Sequence, residues 1–210
     1  MPLQNRVTPT GDLIETAARG LLFGNRGGRF HDPETRSLAR RRWASRQWIA
    51  CVLKFKNRHR SVWGSGYTEL FFLDEVTALA AGHRPCFECR RADARSFADA
   101  VAAGLGLPSR LSAPDMDRRL HGERLEGRGK RRHLAEIAAL PDGAVIDVGG
   151  KALAVRGNHL FAWQPAGYAP GIDRPARGQV TVLTPPLIVA ALNAGYRPLW
   201  HGSADIEPIG

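Results

Sequence analysis

The stretch EVTALAAGHRPCFECRRAD, residues 75 to 93, sets the reading of this sequence. Asp74, just before it, is a natural N-cap, because its carboxylate can accept from the free N–H groups of a first helical turn. Gly82 is a natural helix stop. A short helix is therefore expected over residues 75–81. Beyond the glycine, Cys86 and Cys89 form a Cys-x-x-Cys turn. Such a turn brings two thiolates to one metal ion, and zinc asks for four ligands in a tetrahedron. A redox dithiol and a pair of buried thiols are the other readings. The redox reading requires a Cys-x-x-Cys that opens a helix directly after a strand, and that context is not expected here.

Working outward, QWIACVLKFK (47–56) alternates as a half-buried strand, with Ile49, Cys51, Leu53 and Phe55 on one face. TELFFL (68–73) reads as a second strand, antiparallel to the first, with NRHR and GSG as turns between them. FGNRGGRFHDPE (23–34) reads as a tight loop between short strands. Downstream, RRADARSFADAVAAGLG reads as an amphipathic helix ending near Gly104. Ser112 and Pro114 suit the start of a helix that runs to about Leu125. A helix is expected near His133 to Ala139. AVIDV, KALAVRG and HLFAWQ suggest a meander, with Gly149-Gly150 as a hairpin turn. QVTVLT and PPLIVAALNAG are read as a closing strand and helix.

TELFFLDEVTALAAGHRP (68–85) and TVLTPPLIVAALNAGYRP (181–198) align without gaps, with nine of 18 positions identical. Each reads as a strand, a helix, a glycine stop and Arg-Pro. The expected class is α+β, with small antiparallel sheets and short helices in two related strand–helix halves, the first carrying a zinc site. Three segments are expected: a basic metal-binding half (1–104), a basic linker and helix (105–133), and a metal-free β-rich half (134–210).

Net charge is +10, and it is unevenly placed. Residues 36 to 60 hold nine Lys or Arg and no Asp or Glu, whereas residues 134 to 210 hold five Lys or Arg against six Asp or Glu. An acid-free basic run points to a polyanionic partner, and nucleic acid is the commonest one. No apolar run is long enough for a membrane span, so no membrane partner is expected. The opening residues lack the basic and apolar regions of a signal peptide, which sets the expected compartment as the cytoplasm. There the three cysteines favour metal or redox chemistry over structural disulfides.

EVTALAAGHRPCFECRRAD resembles the second half of the zinc domain of Ada-type proteins, in which a short helix ends in Ala-Gly-aromatic-Arg-Pro-Cys and a second Cys follows two residues later. LFGNRGGRFHDPET (22–35) is similar to that family's strand–turn segment. The resemblance covers residues 20 to 92 and is specific around 78 to 90. It puts His31 where the family has its first metal cysteine and Thr35 where it has its second. In the family the first cysteine accepts a methyl group from damaged DNA phosphates, a role that His31 cannot take. Direct phosphotriester repair is therefore not expected, while zinc binding is, since histidine is a good zinc ligand. The expected ligands are Cys86, Cys89 and His31. Cys51 is a candidate for the fourth place, with Asp32, Glu34 or a water as alternatives.

RSLARRRWASRQW interleaves arginine with tryptophan, a pattern suited to phosphate contacts and base stacking. Arg40, Arg41, Arg42, Trp43, Arg46, Lys54, Lys56, Arg58, Arg84, Lys130, Arg131 and Arg132 are the candidate nucleic-acid-binding residues. Arg118, His121 and Glu123 are candidate catalytic groups for phosphodiester cleavage: one would manage the proton while arginine stabilises the charge that builds on phosphorus. The leading expectation is a zinc-containing DNA-processing enzyme, most concretely an endonuclease or a repair enzyme. Hydrolysis would add a second divalent metal. The alternative is a non-catalytic, zinc-stabilised DNA- or RNA-binding module, with DNA favoured over RNA.

Overall fold

A computed structural model describes residues 1–58 and 61–205. Half of the expected NRHR turn, His59 and Arg60, lies outside the described residues. The first part of the chain forms β1 (Arg6–Val7), β2 (Leu13–Ile14), β3 (Leu22–Arg26), β4 (His31–Asp32), β5 (Ser37–Leu38), β6 (Trp48–Val52) and β7 (Leu70–Phe72). Next come α1 (Glu75–Ala80), β8 (Arg84–Pro85), α2 (Arg91–Gly104) and α3 (Ala113–Arg124). The remainder holds β9 (Leu125–Glu126), β10 (Gly129–Lys130), β11 (His133–Glu136), β12 (Val145–Val148), β13 (Lys151–Arg156), β14 (His159–Gln164), β15 (Gly167–Tyr168), β16 (Ile172–Asp173), β17 (Gln179–Val182) and α4 (Pro186–Asn193).

The class is α+β. The first sheet runs β2-β1-β7-β3-β6-β8 and the second β11-β17-β12-β13-β14-β15, with β16 also on β14. The second sheet is antiparallel throughout. The first is mixed, because β1 pairs with β7, and β6 with β8, in parallel. The two strands expected to be neighbours, β6 and β7, are separated by β3, which pairs with both. FGNR thus belongs to a fully buried central strand rather than a loop. The expected helix at 133–139 is instead β11 followed by a single 3-10 turn, because β17 offers four residues for pairing.

Helix α1 joins the layers. Its N-cap is Asp74, which accepts from Thr77 N–H at 2.9 Å, and all six of its residues are buried. Ala78 meets the first sheet, beside Leu22, Ala50, Leu70 and Phe72. Val76 and Ala80 meet the second, beside Val145, Ala154 and Phe161. Leu79 enters the core that α2, α3 and α4 share, with Phe97, Met116 and Ile188. These cores run across the expected segment boundaries at 104 and 134.

Both carboxylates at the start of α1 are satisfied from far along the chain. Asp74 accepts from Tyr168 Oη–H at 2.9 Å and from His201 N–H at 3.1 Å. Glu75 accepts from Tyr196 Oη–H at 2.6 Å, from Leu199 N–H at 3.0 Å and from Arg90 at 2.8 Å.

The sequence echo corresponds to one shared local geometry. Gly82 (φ 86°) and Gly195 (φ 101°) both end a helix in the left-handed region that glycine tolerates best. The N–H groups of Gly82 and Gly195 bond to Leu79 and Leu192, and those of His83 and Tyr196 to Ala78 and Ala191. The likeness stops there. Arg84-Pro85 continues as β8 on the first sheet, while Arg197-Pro198 joins no strand.

Candidate metal centre and basic surface

Strand β8 brings the Cys-x-x-Cys turn to Cys51. Pairing of Ala50 with Pro85 puts Cys86 N–H on Ala50 carbonyl at 3.0 Å. Alternation along β6 points Ile49 and Cys51 to the face opposite the main core, where they meet Phe23 and Phe71. The sulfur atoms of Cys51, Cys86 and Cys89 lie within 4.8 Å of one another. Cys51 and Cys86 are buried and Cys89 is half-buried. Three thiols that converge this closely can hold a metal ion. Among the described residues they are the one group of three or more His, Cys, Asp or Glu side chains close enough to do so.

The hydrogen bonding around the sulfurs suits thiolate ligands. Cys86 is pulled down by hydrogen bonds from the Cys51 and Cys89 thiols, with the Cys89 and Glu88 N–H groups adding to this. The Glu88 N–H lies 3.4 Å from the sulfur. Cys51 is pushed up by the same sharing, with burial acting in the same direction. At Cys89 the bond with Cys51 acts downward, but the bond with Cys86 and burial outweigh it, so this thiol too is raised. One thiolate held by two thiols and by backbone N–H groups is the metal-free counterpart of a ligand set that sheds protons on binding metal.

Cys-x-x-Cys lies between β8 and α2, with Arg90 as the residue before the helix. This strand–turn–helix context was not expected from the sequence, so context alone no longer counts against a redox dithiol. The third converging thiol is what favours a metal.

His31 is not part of this group. Its Nδ1 meets Thr68 Oγ1 at 2.8 Å, its Nε2 meets Gly64 carbonyl oxygen at 2.9 Å, and its ring stacks on Trp63. With both nitrogens engaged in a buried position, His31 is a packing residue, which corrects the expected ligand set.

The three candidate catalytic residues do not face a common point. His121 Nδ1 lies 3.1 Å from Arg124 Nη2, and its ring meets the edge of Trp43. Glu123 accepts from Arg119 at 3.0 Å and from Leu187 N–H at 2.7 Å, so it caps α4. Arg118 is exposed and pairs with Asp115. Residues 121 and 123 are two apart on α3 and diverge, as helical geometry requires.

Arg84 is the clearest departure among the basic residues. It is 1% exposed and forms a bidentate pair with Asp117, at 2.9 and 2.8 Å, so it cannot reach a phosphate outside. Arg40, Arg41, Arg46, Lys54, Lys56, Arg58, Arg131 and Arg132 are exposed, while Arg42, Trp43 and Lys130 are half-buried. Arg58 also reaches Glu88, inside the cysteine turn, at 2.5 Å. Of the exposed members, Arg40, Arg41, Arg46, Lys54, Lys56 and Arg58 lie on the loops that flank β6, and Arg131 and Arg132 lie between β10 and β11.

A second cluster was not read from the sequence. Arg26 and Trp48 are cross-strand partners in β3 and β6, and the Arg26 and Arg124 guanidiniums lie 4.0 and 3.9 Å from the Trp48 ring centre. His83, fully buried, accepts from Arg26 Nε at its Nε2, 3.3 Å away. The one signal in the sequence is the alternation that pairs β3 with β6, which a loop over FGNR hides. Among the described residues no helix is long and apolar enough to cross a membrane. No family model matches the chain, and no curated protein or solved structure is detectably similar to it.

Proposed function

We propose that this chain is a zinc-stabilised nucleic-acid-binding protein, with DNA as the favoured partner. The supporting observation is the convergence of Cys51, Cys86 and Cys89 behind a strand whose flanking loops hold an exposed, acid-free basic run. Three thiolates favour zinc over the hard cations magnesium and calcium. All three cysteines of the chain are used, so the fourth zinc ligand is a nitrogen or oxygen donor. Held this way, the metal pins β6 to the β8–α2 connection, and the basic loops are carried on that rigid base. The Ada-like segment around residues 78 to 90 agrees with this reading.

The experiment is elemental analysis of the purified chain together with fluorescence anisotropy on a labelled duplex across a salt series. About one zinc per chain and a log–log salt slope that reports several phosphate contacts are expected. No zinc, or binding insensitive to salt, would overturn the reading.

A hydrolytic version draws support from the partial exposure of Cys89. If water is the fourth ligand, zinc can lower that water's pKa and supply a nucleophile, as in catalytic sites that keep an open position. Metal-dependent nicking of a plasmid, lost in Cys89→Ser, would establish this version. An intact plasmid at enzyme excess across several divalent metals would leave the binding module.

A further inference from the structure

Five cations line one recess whose wall carries a single carboxylate. The recess, about 70 Å³, lies between the first strands and the α3–β10 segment, and Arg26, Arg42, Arg124, Arg128 and Lys130 line it with Trp48. Arg26 is 2% exposed and Arg124 1%. Among the described residues no carboxylate lies within ion-pair distance of Arg26, Arg124 or Lys130. Asp12, the one acid on the wall, accepts from Thr10 Oγ1 at 2.6 Å.

Neutral oxygens take most of the donors. Arg26 Nη2 donates to Gly11 carbonyl at 2.7 Å, and Arg124 donates to Gly82 and Arg46 carbonyls at 2.9 and 2.7 Å. Lys130 Nζ donates to the Ala80 carbonyl. Carbonyls satisfy hydrogen bonds but neutralise no charge, and Arg124 Nε, also buried, has no partner among the described residues. Burial is the main influence that disfavours the charged form of Arg26, Arg124 and Lys130, and neighbouring cations add to it; Asp12 acts against this at Arg26 and Asp117 at Arg124, neither within ion-pair distance. A guanidinium does not shed its proton in a protein, so a bound anion would relieve the charge that carbonyls and the indole leave unneutralised.

We propose that this recess is a binding site for one phosphate-type oxyanion. Arg26 and Arg124, packed on the Trp48 ring, line the recess with Arg42, Arg128 and Lys130, a concentration of positive charge suited to a tetrahedral anion. The volume admits a few heavy atoms, well short of the roughly 300 Å³ at which small-molecule pockets begin. The ligand is thus a single phosphoryl group, either free or at the end of a strand whose remainder stays outside. Trp43, on the same wall, is placed to stack on a base attached to that group. The inference requires neither the metal nor a nucleic-acid partner.

The test is a titration of the full chain with inorganic phosphate, against sodium chloride at matched ionic strength, read by tryptophan fluorescence and melting temperature. A saturable response to phosphate and none to chloride is expected. The affinity should weaken about tenfold or more in Arg26→Met, the loss expected for charge-assisted hydrogen bonds. Arg128→Ala, at the exposed rim, keeps the test decisive if Arg26→Met fails to fold. Competition with a 5′-phosphorylated and a 5′-hydroxyl oligonucleotide then identifies the source. Preference for the phosphorylated strand assigns the site to strand ends. Displacement of phosphate by neither oligonucleotide assigns it to a free oxyanion. No saturable phosphate response, or one unchanged in both variants, overturns the proposal, and DNA binding that survives such a result leaves the nucleic-acid reading intact.

Discussion

Arg84 and Asp117 form a buried bidentate ion pair that ties the strand entering Cys86 to the middle of α3. Removing one partner strands the other charge in the interior. Asp117→Ala is expected to lower unfolding free energy by about 3–5 kcal/mol, measured by urea denaturation. The double variant Arg84→Met, Asp117→Leu should recover much of that loss. A single variant as stable as wild type would mean that the pair is solvated.

The cysteine cluster predicts a mixed coordination shell. X-ray absorption at the zinc edge should fit three sulfurs near 2.3 Å and one nitrogen or oxygen near 2.0–2.1 Å, the usual zinc distances. Cys51→Ser should lose metal as fully as Cys86→Ser does. Chelation should lower the melting temperature and take up protons, since the free thiols lie above the ordinary range at Cys51 and Cys89. Full zinc content in Cys51→Ser would remove that residue from the shell.

His83 gives stability a pH dependence of known sign. Burial first, then the charges of Arg26 and Arg124, hold its pKa well below 6.5, so the folded state keeps it neutral. Its contribution is present above the unfolded value and is lost as pH falls from about 6.5 toward the folded value, at up to about 1.4 kcal/mol per pH unit. Melting curves at pH 8 and pH 5.5 should show this loss, and His83→Asn should flatten it. An unchanged slope in the variant would place the titration elsewhere.

Glu123 is expected to act on stability. It holds Leu187 N–H in the first turn of α4, and Glu123→Ala should cost about 1 kcal/mol, as for a lost helix cap. Glu123→Gln should recover part of the stability through its amide oxygen. A nicking activity abolished by Glu123→Gln at full stability would restore a catalytic role.

The exposed arginines should carry the salt dependence. Arg40→Ala, Arg41→Ala and Arg46→Ala are each expected to lower the log–log salt slope for duplex binding by about 1 where a phosphate contact is lost. Arg84→Lys, measured at a temperature where the variant stays folded, should leave it unchanged, because the Arg84 side chain faces Asp117 in the interior. The reverse order would move the nucleic-acid surface away from residues 40 to 46.

What the sequence disclosed was mainly local chemistry. The Asp74 cap, the Gly82 stop, the Ser112 cap of α3 and the Gly149-Gly150 hairpin depend on neighbours a few residues away. The position of β3 between β6 and β7, and the conversion of residues 133–136 to a strand by β17, depend on partners far along the chain. Cys51 was within reach because strand alternation points it to one face. His31 was misplaced because family-like spacing carries no information on what its ring will meet. A count of charges cannot separate an arginine on the surface from Arg84 against a carboxylate or Arg124 over an indole.

The two carboxylates that open α1 have a consequence for biosynthesis. Their partners at Tyr196 and His201 stand 121 and 127 residues further on. While the ribosome is still making the second sheet, Asp74 and Glu75 sit at the centre of the future core without those partners, and the first sheet has no reason to close over them. Native packing around α1 therefore waits for residues 196–201 to emerge, and a nascent chain halted before them should remain open to proteases even with its cysteines already in place.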